Sequence, residues 1–108
     1  MSTIFDKILS LVEKKEILIS DHGYDELAED NIFIRDIMKN LSRSSVIEEY
    51  PDYPKGPCVL LLQKDERSKP IHTVWGIPKG EASPAVLVTA YRPDPKKWSS
   101  DLLRRKKK

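Results

Sequence analysis

The chain has 108 residues, 39% of them hydrophobic, a length that builds one domain around one core and leaves no room for a second. Its single cysteine, Cys58, excludes an internal disulfide, no apolar run is long enough to span a membrane, and the opening Met1 to Asp6 lacks the layout of an export signal, so a cytoplasmic protein is expected. The formal charge of +2 is unevenly spread, with 6 Lys/Arg against 12 Asp/Glu in residues 1–54 and 13 against 5 in residues 55–108.

Ile4, Ile8, Leu11 and Val12 recur at the spacing of one helical face, widened by Phe5 and Leu9, which predicts an amphipathic helix from about Thr3 to Lys15. Ser20 or Asp21 caps a second short helix running through Asp30, with acidic residues in its first turns matching the positive end of the helix dipole. Gly23 weakens that helix locally. After a turn at Asp30-Asn31, a third helix from about Phe33 to Leu41 places Ile34, Ile37, Met38 and Leu41 on one side.

From Ser44 the pattern turns extended. Ser44 to Tyr50 reads as a strand, broken by Pro51, Pro54, Gly56 and Pro57. Cys58 to Gln63 is a nearly continuous apolar run suited to a central strand, and Ile71 to Ile77 and Ala85 to Tyr91 follow at hairpin spacing. Helices grouped before strands predict an α+β fold, with two to three N-terminal helices packed on a four-stranded antiparallel sheet. A single domain is expected over residues 1–98, followed by a basic tail over 99–108 that is either a solvated end or an arm attracting phosphate.

Two histidines are the natural candidates for proton transfer. His22 lies in the opening turn of the second helix, with Glu26 one turn on to orient the imidazole, a pair suited either to general base work or to a structural hydrogen bond. His72 alternates with Val74 on the strand face opposite Ile71, Thr73 and Trp75, where it is either a satisfied buried side chain or a second acid or base. Tyr91 and Arg92 close the last strand on opposite faces. An arginine there can clamp a phosphate and a tyrosine can donate a proton or stack on a base; the alternative is surface and packing duty. Lys79, Lys64 and Lys55 are further phosphate candidates, whereas Trp75 and Trp98 read as packing anchors. Cys58 and His72 might join His22 and Glu26 around an ion, but no paired-cysteine or doubled-histidine motif is present and no metal is expected. Serine-nucleophile, dinucleotide and Walker signatures are missing as well.

The segments Ser20-Asp21-His22, Glu48-Glu49-Tyr50-Pro51, Ile71-His72-Thr73-Val74-Trp75 and Thr89-Ala90-Tyr91-Arg92-Pro93 together resemble DUF4258, a bacterial family of domains of unknown function, over roughly residues 20–98. That family is similar, at a distance, to the RelE and BrnT group of toxins. The resemblance implies a compact RelE/BrnT-like fold and the toxin of a type II toxin-antitoxin pair, a metal-independent endoribonuclease that needs no cofactor and cuts RNA through attack of a 2′-hydroxyl. It implies a small zinc-binding protein as antitoxin. His22, His72 and Tyr91 match its catalytic marks, and Arg92 is a looser match; Lys79 and Lys64 join Arg92 as expected substrate-binding residues on their charge alone. This chain departs from the family pattern twice, offering Asp25-Glu26-Leu27 where many members carry an arginine and Phe33 where a small capping residue is usual. A non-catalytic protein-binding module, or an inactive toxin-like regulator, is the alternative expectation.

Overall fold

The apolar stripe of Ile4, Ile8 and Leu11 is buried along one side of α1 (Thr3–Glu13) in the computed structural model, which describes residues 3–105. The helix stops two residues short of the predicted end. Lys15 takes a left-handed conformation at φ 61°, its N–H donates to the Val12 carbonyl and that of Glu16 to the Leu11 carbonyl, so a lysine occupies the place usually given to glycine in this helix ending. There follow β1 (Ile17–Ile19), α2 (Asp21–Glu29), α3 (Ile34–Asn40) and a single 3-10 turn over Leu41–Arg43. Then come β2 (Ser45–Tyr50), β3 (Cys58–Lys64), β4 (Pro70–Gly76) and β5 (Ala85–Tyr91).

The sheet is five-stranded and mixed, in the order β1-β5-β4-β3-β2, which corrects the expected four antiparallel strands. β2 to β5 do form an antiparallel meander, but β1 adds to β5 in parallel, Ile17 opposite Ala85 and Ile19 opposite Leu87. Three residues between two helices carry too little alternation to announce a strand.

After Ile19 the chain leaves the sheet and α2 takes over the edge of β5. The Ser20 N–H donates to the Leu87 carbonyl (3.1 Å), while the Ser20 hydroxyl donates to the Val88 carbonyl (2.9 Å) and caps α2 by accepting from the Gly23 N–H (2.9 Å). Gly23 permits this approach, because a Cβ there would lie 2.8 Å from the Leu87 carbonyl oxygen. At the other end, Asp30 accepts the Arg92 N–H at 2.8 Å.

The core lies between the helices and one face of the sheet. Val59 and Leu61 of β3, Ile71 and Trp75 of β4, and Leu87 and Ala90 of β5 meet the buried sides of α1, α2 and α3. The outer face carries Cys58 and Leu60, then His72 and Val74 in the next strand, Tyr91 beyond them, and Glu48 and Tyr50 of β2. Helices leave this outer face uncovered. Part of it is closed instead by residues 98–105, which fold back with an isolated antiparallel bridge between Trp98 and Arg105. Arg104 and Arg105, read from the sequence as tail, therefore belong to a folded segment, whereas Lys106 to Lys108 lie outside the described residues.

Candidate functional site

His22 stands on the first turn of α2 with its side chain 68% exposed. Its Nε2 lies 2.8 Å from Glu26 Oε1, the partner one helical turn on, and the same carboxylate oxygen accepts the Thr89 hydroxyl of β5 at 2.9 Å. A carboxylate accepts only, so the neutral imidazole that meets it carries its proton on Nε2 and keeps Nδ1 as the basic nitrogen. Thr89 fixes Glu26, and Glu26 fixes His22.

Two residues further along β5, Tyr91 opposes His72 of β4. Nδ1 of His72 is 3.2 Å from the Tyr91 hydroxyl and Nε2 is 2.9 Å from the Leu102 carbonyl. The carbonyl can only accept, so Nε2 bears the proton and Nδ1 accepts the Tyr91 O–H. His72 is 0% exposed, with the Trp98 ring edge-on at 4.4 Å and the Tyr91 ring at 5.3 Å. Burial holds its imidazole below the ordinary histidine value, against the opposing pull of the Leu102 carbonyl, and the positive charge of Arg105 pushes the same way as burial. Burial likewise pushes the Tyr91 phenol up. Both groups are neutral near pH 7.

Arg105 crosses this corner. Its guanidinium pairs with Glu48 at 2.6 Å, stacks over Trp98 at 5.0 Å, and leaves Glu48 to accept the Tyr50 hydroxyl through its other oxygen at 2.5 Å. A cavity of about 390 Å³ opens between Tyr91, Arg92, Asp94, Lys97, Trp98 and Arg105. The rest of the outer face is an apolar groove of about 420 Å³, with Tyr50, Tyr53, Cys58, Val74 and Val88 along it. Burial pushes the Cys58 thiol up, away from reactive thiolate.

The predicted site residues thus separate into groups. His22 and Tyr91 are joined to one face of β5 through Thr89, and His72 and Tyr91 are in contact. Arg92 points elsewhere: its guanidinium pairs with Asp65 at 2.9 Å and donates to the Pro70 carbonyl at 3.3 Å. Burial of Asp65 raises its carboxyl, but hydrogen bonds from the Lys69 and Arg67 N–H groups and the Arg92 charge outweigh it and hold that carboxyl below its usual range. Lys64 ends β3 two residues beyond Leu62, the neighbour of His72, and so reaches the same end of the sheet. Lys79 does not: its N–H donates to the Lys55 carbonyl beyond the Cys58–Gly76 end of the hairpin, about 20 Å of strand away. The sequence did not single out Thr89, Glu48, Leu102 or Arg105. Thr89 had a readable signal, two positions before Tyr91 on the same strand face; the others come from a segment without periodicity or from a glutamate that resembles its neighbours. Among the described residues, no three His, Cys, Asp or Glu side chains are grouped to hold a metal ion, and no helix is long and apolar enough to cross a membrane.

A family model described as Domain of unknown function (DUF4258) matches residues 19–92, more than half of the chain, and the chain belongs to that family. The matched stretch runs from the last residue of β1 to the residue after β5 and leaves out α1 and the segment 98–105. No curated protein and no solved structure matches the chain.

Proposed function

With that membership as the premise, we propose that this chain acts on RNA as the toxin of a toxin-antitoxin pair, a RelE/BrnT-like endoribonuclease working without a metal or cofactor. The carrying observation is that two histidine-centred hydrogen-bond chains, His22–Glu26–Thr89 and His72–Tyr91, meet on one face of β5 at positions two residues apart. Thr89 and Tyr91 lie about 7 Å apart along the strand, and His22 stands one carboxylate further out from Thr89, so the substrate in this reading reaches from His22 past Glu26 to Tyr91.

In this reading His22 Nδ1 takes the proton of the ribose 2′-hydroxyl as its oxygen attacks the adjacent phosphorus. Glu26 steadies the imidazolium that forms. The bond to the 5′-oxygen breaks as the Tyr91 hydroxyl turns its proton from His72 Nδ1 to that oxygen, leaving a 2′,3′-cyclic phosphate, and the proton held on His22 returns through solvent to the phenolate. His72 is a positioning residue for Tyr91, because both of its ring nitrogens are engaged. Lys97, which lines the cavity beside Tyr91, and Lys64, at the same end of the sheet, would offset the growing phosphate charge, a task from which the Asp65 pair withdraws Arg92.

The test is incubation of the purified chain with RNA in excess chelator, beside His22→Ala and Tyr91→Phe. Cleavage falling about 100-fold or more in each variant is expected for loss of a general base or acid. Equal cleavage by wild type and His22→Ala removes His22 from the mechanism.

A second reading, a non-catalytic protein-binding module or inactive regulator, is favoured by the apolar groove on the same face. The partner in this reading is a protein that meets the groove, with the small zinc-binding antitoxin as the candidate to test. Capture of that protein unaffected by His22→Ala, with no RNA cleavage, would favour this reading.

A further inference from the structure

The outer face holds a site that the chain itself occupies. Residues 98–105 form a turn with its own internal bonds: the Ser99 N–H donates to the Arg104 carbonyl at 2.7 Å, the Leu102 N–H to the Ser99 carbonyl at 2.8 Å, and Asp101 accepts from the Ser99 hydroxyl and the Leu103 N–H. Leu102 sits at φ 63°, a left-handed conformation that a leucine adopts at a cost, and its carbonyl there caps His72 Nε2. Trp98, 5% exposed, covers the imidazole, and Arg105 fastens the far end to Glu48.

We propose that this segment is a displaceable cover that holds the His72–Tyr91 pair shut, latched by Arg105 on Glu48. It rests on the reading of this face as an RNA-cleaving site, and deepens it by adding the control. Two observations make it a cover separable from the core. Its backbone bonds close on itself, and the Leu102 carbonyl meets a side chain of the sheet instead of extending the ladder. Its latch is a surface ion pair, with Arg105 58% and Glu48 38% exposed, the kind that contributes little and yields to competing anions. A polyanion entering the cavity beside Lys97 meets Arg105 and competes with Glu48 for it, so an RNA phosphate is the chemistry that would release the cover.

The cover is tested without any assumption about RNA by the reaction of histidine with diethyl pyrocarbonate, read by mass spectrometry. The two histidines make the experiment internally controlled, since His22 is exposed and His72 has both nitrogens occupied. In the full chain His22 reacts and His72 is protected. Glu48→Gln, which unlatches Arg105 while keeping it, is expected to raise the His72 rate relative to His22 by about fivefold, the factor an exposed ion pair supplies. Leu102→Pro, incompatible with a positive φ, is expected to raise it at least as much. Circular dichroism and urea unfolding confirm that each variant keeps its fold. His72 reacting as fast as His22 in the full chain, or staying protected in both folded variants, overturns the proposal. RNA cleavage then separates the two readings. Faster cleavage by Glu48→Gln supports a closing role, and slower cleavage overturns it by making the segment part of the working site. Exposed His72 with no cleavage in any form leaves the cover standing and removes the nuclease reading alone.

Discussion

At the scale of single residues, His72 shows how a face can be legible in a sequence while its environment is not. Alternation along Ile71-His72-Thr73-Val74-Trp75 puts His72 on the face opposite the core, and there it lies. Its complete burial comes from Trp98 and Leu102, about thirty positions away in a stretch with no hydrophobic period, so nothing local announces it. That burial has a thermodynamic consequence. The unfolded chain protonates this imidazole near its ordinary value of 6.5, whereas the folded chain holds it neutral to lower pH, mainly through desolvation. Between those two values the unfolded state binds more protons, so the stability contributed by neutral His72 is complete above about pH 6.5 and is lost as pH falls through the depressed folded value. The urea midpoint of the wild type is expected to start falling below about pH 6.5. The His72→Gln variant is expected to show a flatter profile in that window. Asp65 gives a separate fall: its carboxyl is held below 3.8, so its contribution disappears only in stronger acid and survives in His72→Gln. A wild-type profile identical to that of His72→Gln just below pH 6.5 would show that the folded chain protonates His72 as readily as the unfolded one.

At the scale of elements, the long periodic segments were readable and the short or locally determined ones were not. The stripe of α1 and the span of β5 follow from residue pattern alone, and the pattern narrows the cap of α2 to Ser20 or Asp21, of which the fold uses Ser20. β1 is three residues of isoleucine and leucine with no period of its own, and only its pairing with β5 makes it a strand. α3 begins at Phe33 without a side-chain cap, so its start is set by packing of the fully buried Ile37 and by the turn at Asn31, which sits at φ 53°. Gly23 reverses its own sequence reading. Glycine in a helix is normally a cost, and alanine there ordinarily stabilises by up to about 1 kcal/mol. Here an added methyl meets the Leu87 carbonyl oxygen at 2.8 Å, with the Ser20 hydroxyl and an Ile19 methyl also close. Backbone cannot yield as a flexible side chain does, so Gly23→Ala is expected to push α2 away from β5 and to cost about 1–3 kcal/mol in urea unfolding. The same displacement moves Glu26 away from Thr89 and would weaken the orientation of His22. A stabilised Gly23→Ala variant would mean that α2 sits further from the sheet edge than this contact requires.

At the scale of the whole molecule, the matched family stretch carries two additions that contribute in different ways. α1 precedes residue 19, yet Ile4, Ile8 and Leu11 are buried in the same cluster as Val59, Ile71 and Trp75. Without α1, the inner face of β3, β4 and β5 loses an apolar cover that the short α2 and α3 cannot replace. Residues 98–105 instead rest on the outer face, where Trp98 is the main buried apolar group and the remaining ties are a hydrogen bond and a surface ion pair. The two additions should therefore differ in what they do to cooperativity. Ile8, 0% exposed, leaves a cavity on truncation to alanine, and Ile8→Ala is expected to cost about 2–4 kcal/mol in urea unfolding. A chain ending at Lys97 loses Trp98 burial and exposes His72, so its midpoint drops as well, but its inner core is untouched and its transition stays single and cooperative. The slope against urea separates the cases further, since removing the cover subtracts surface from the folding unit and lowers the slope, whereas Ile8→Ala leaves it unchanged. A chain ending at Lys97 that no longer unfolds in one transition would place the segment inside the cooperative core, and the division of the molecule into a domain and a removable cover would fall with it.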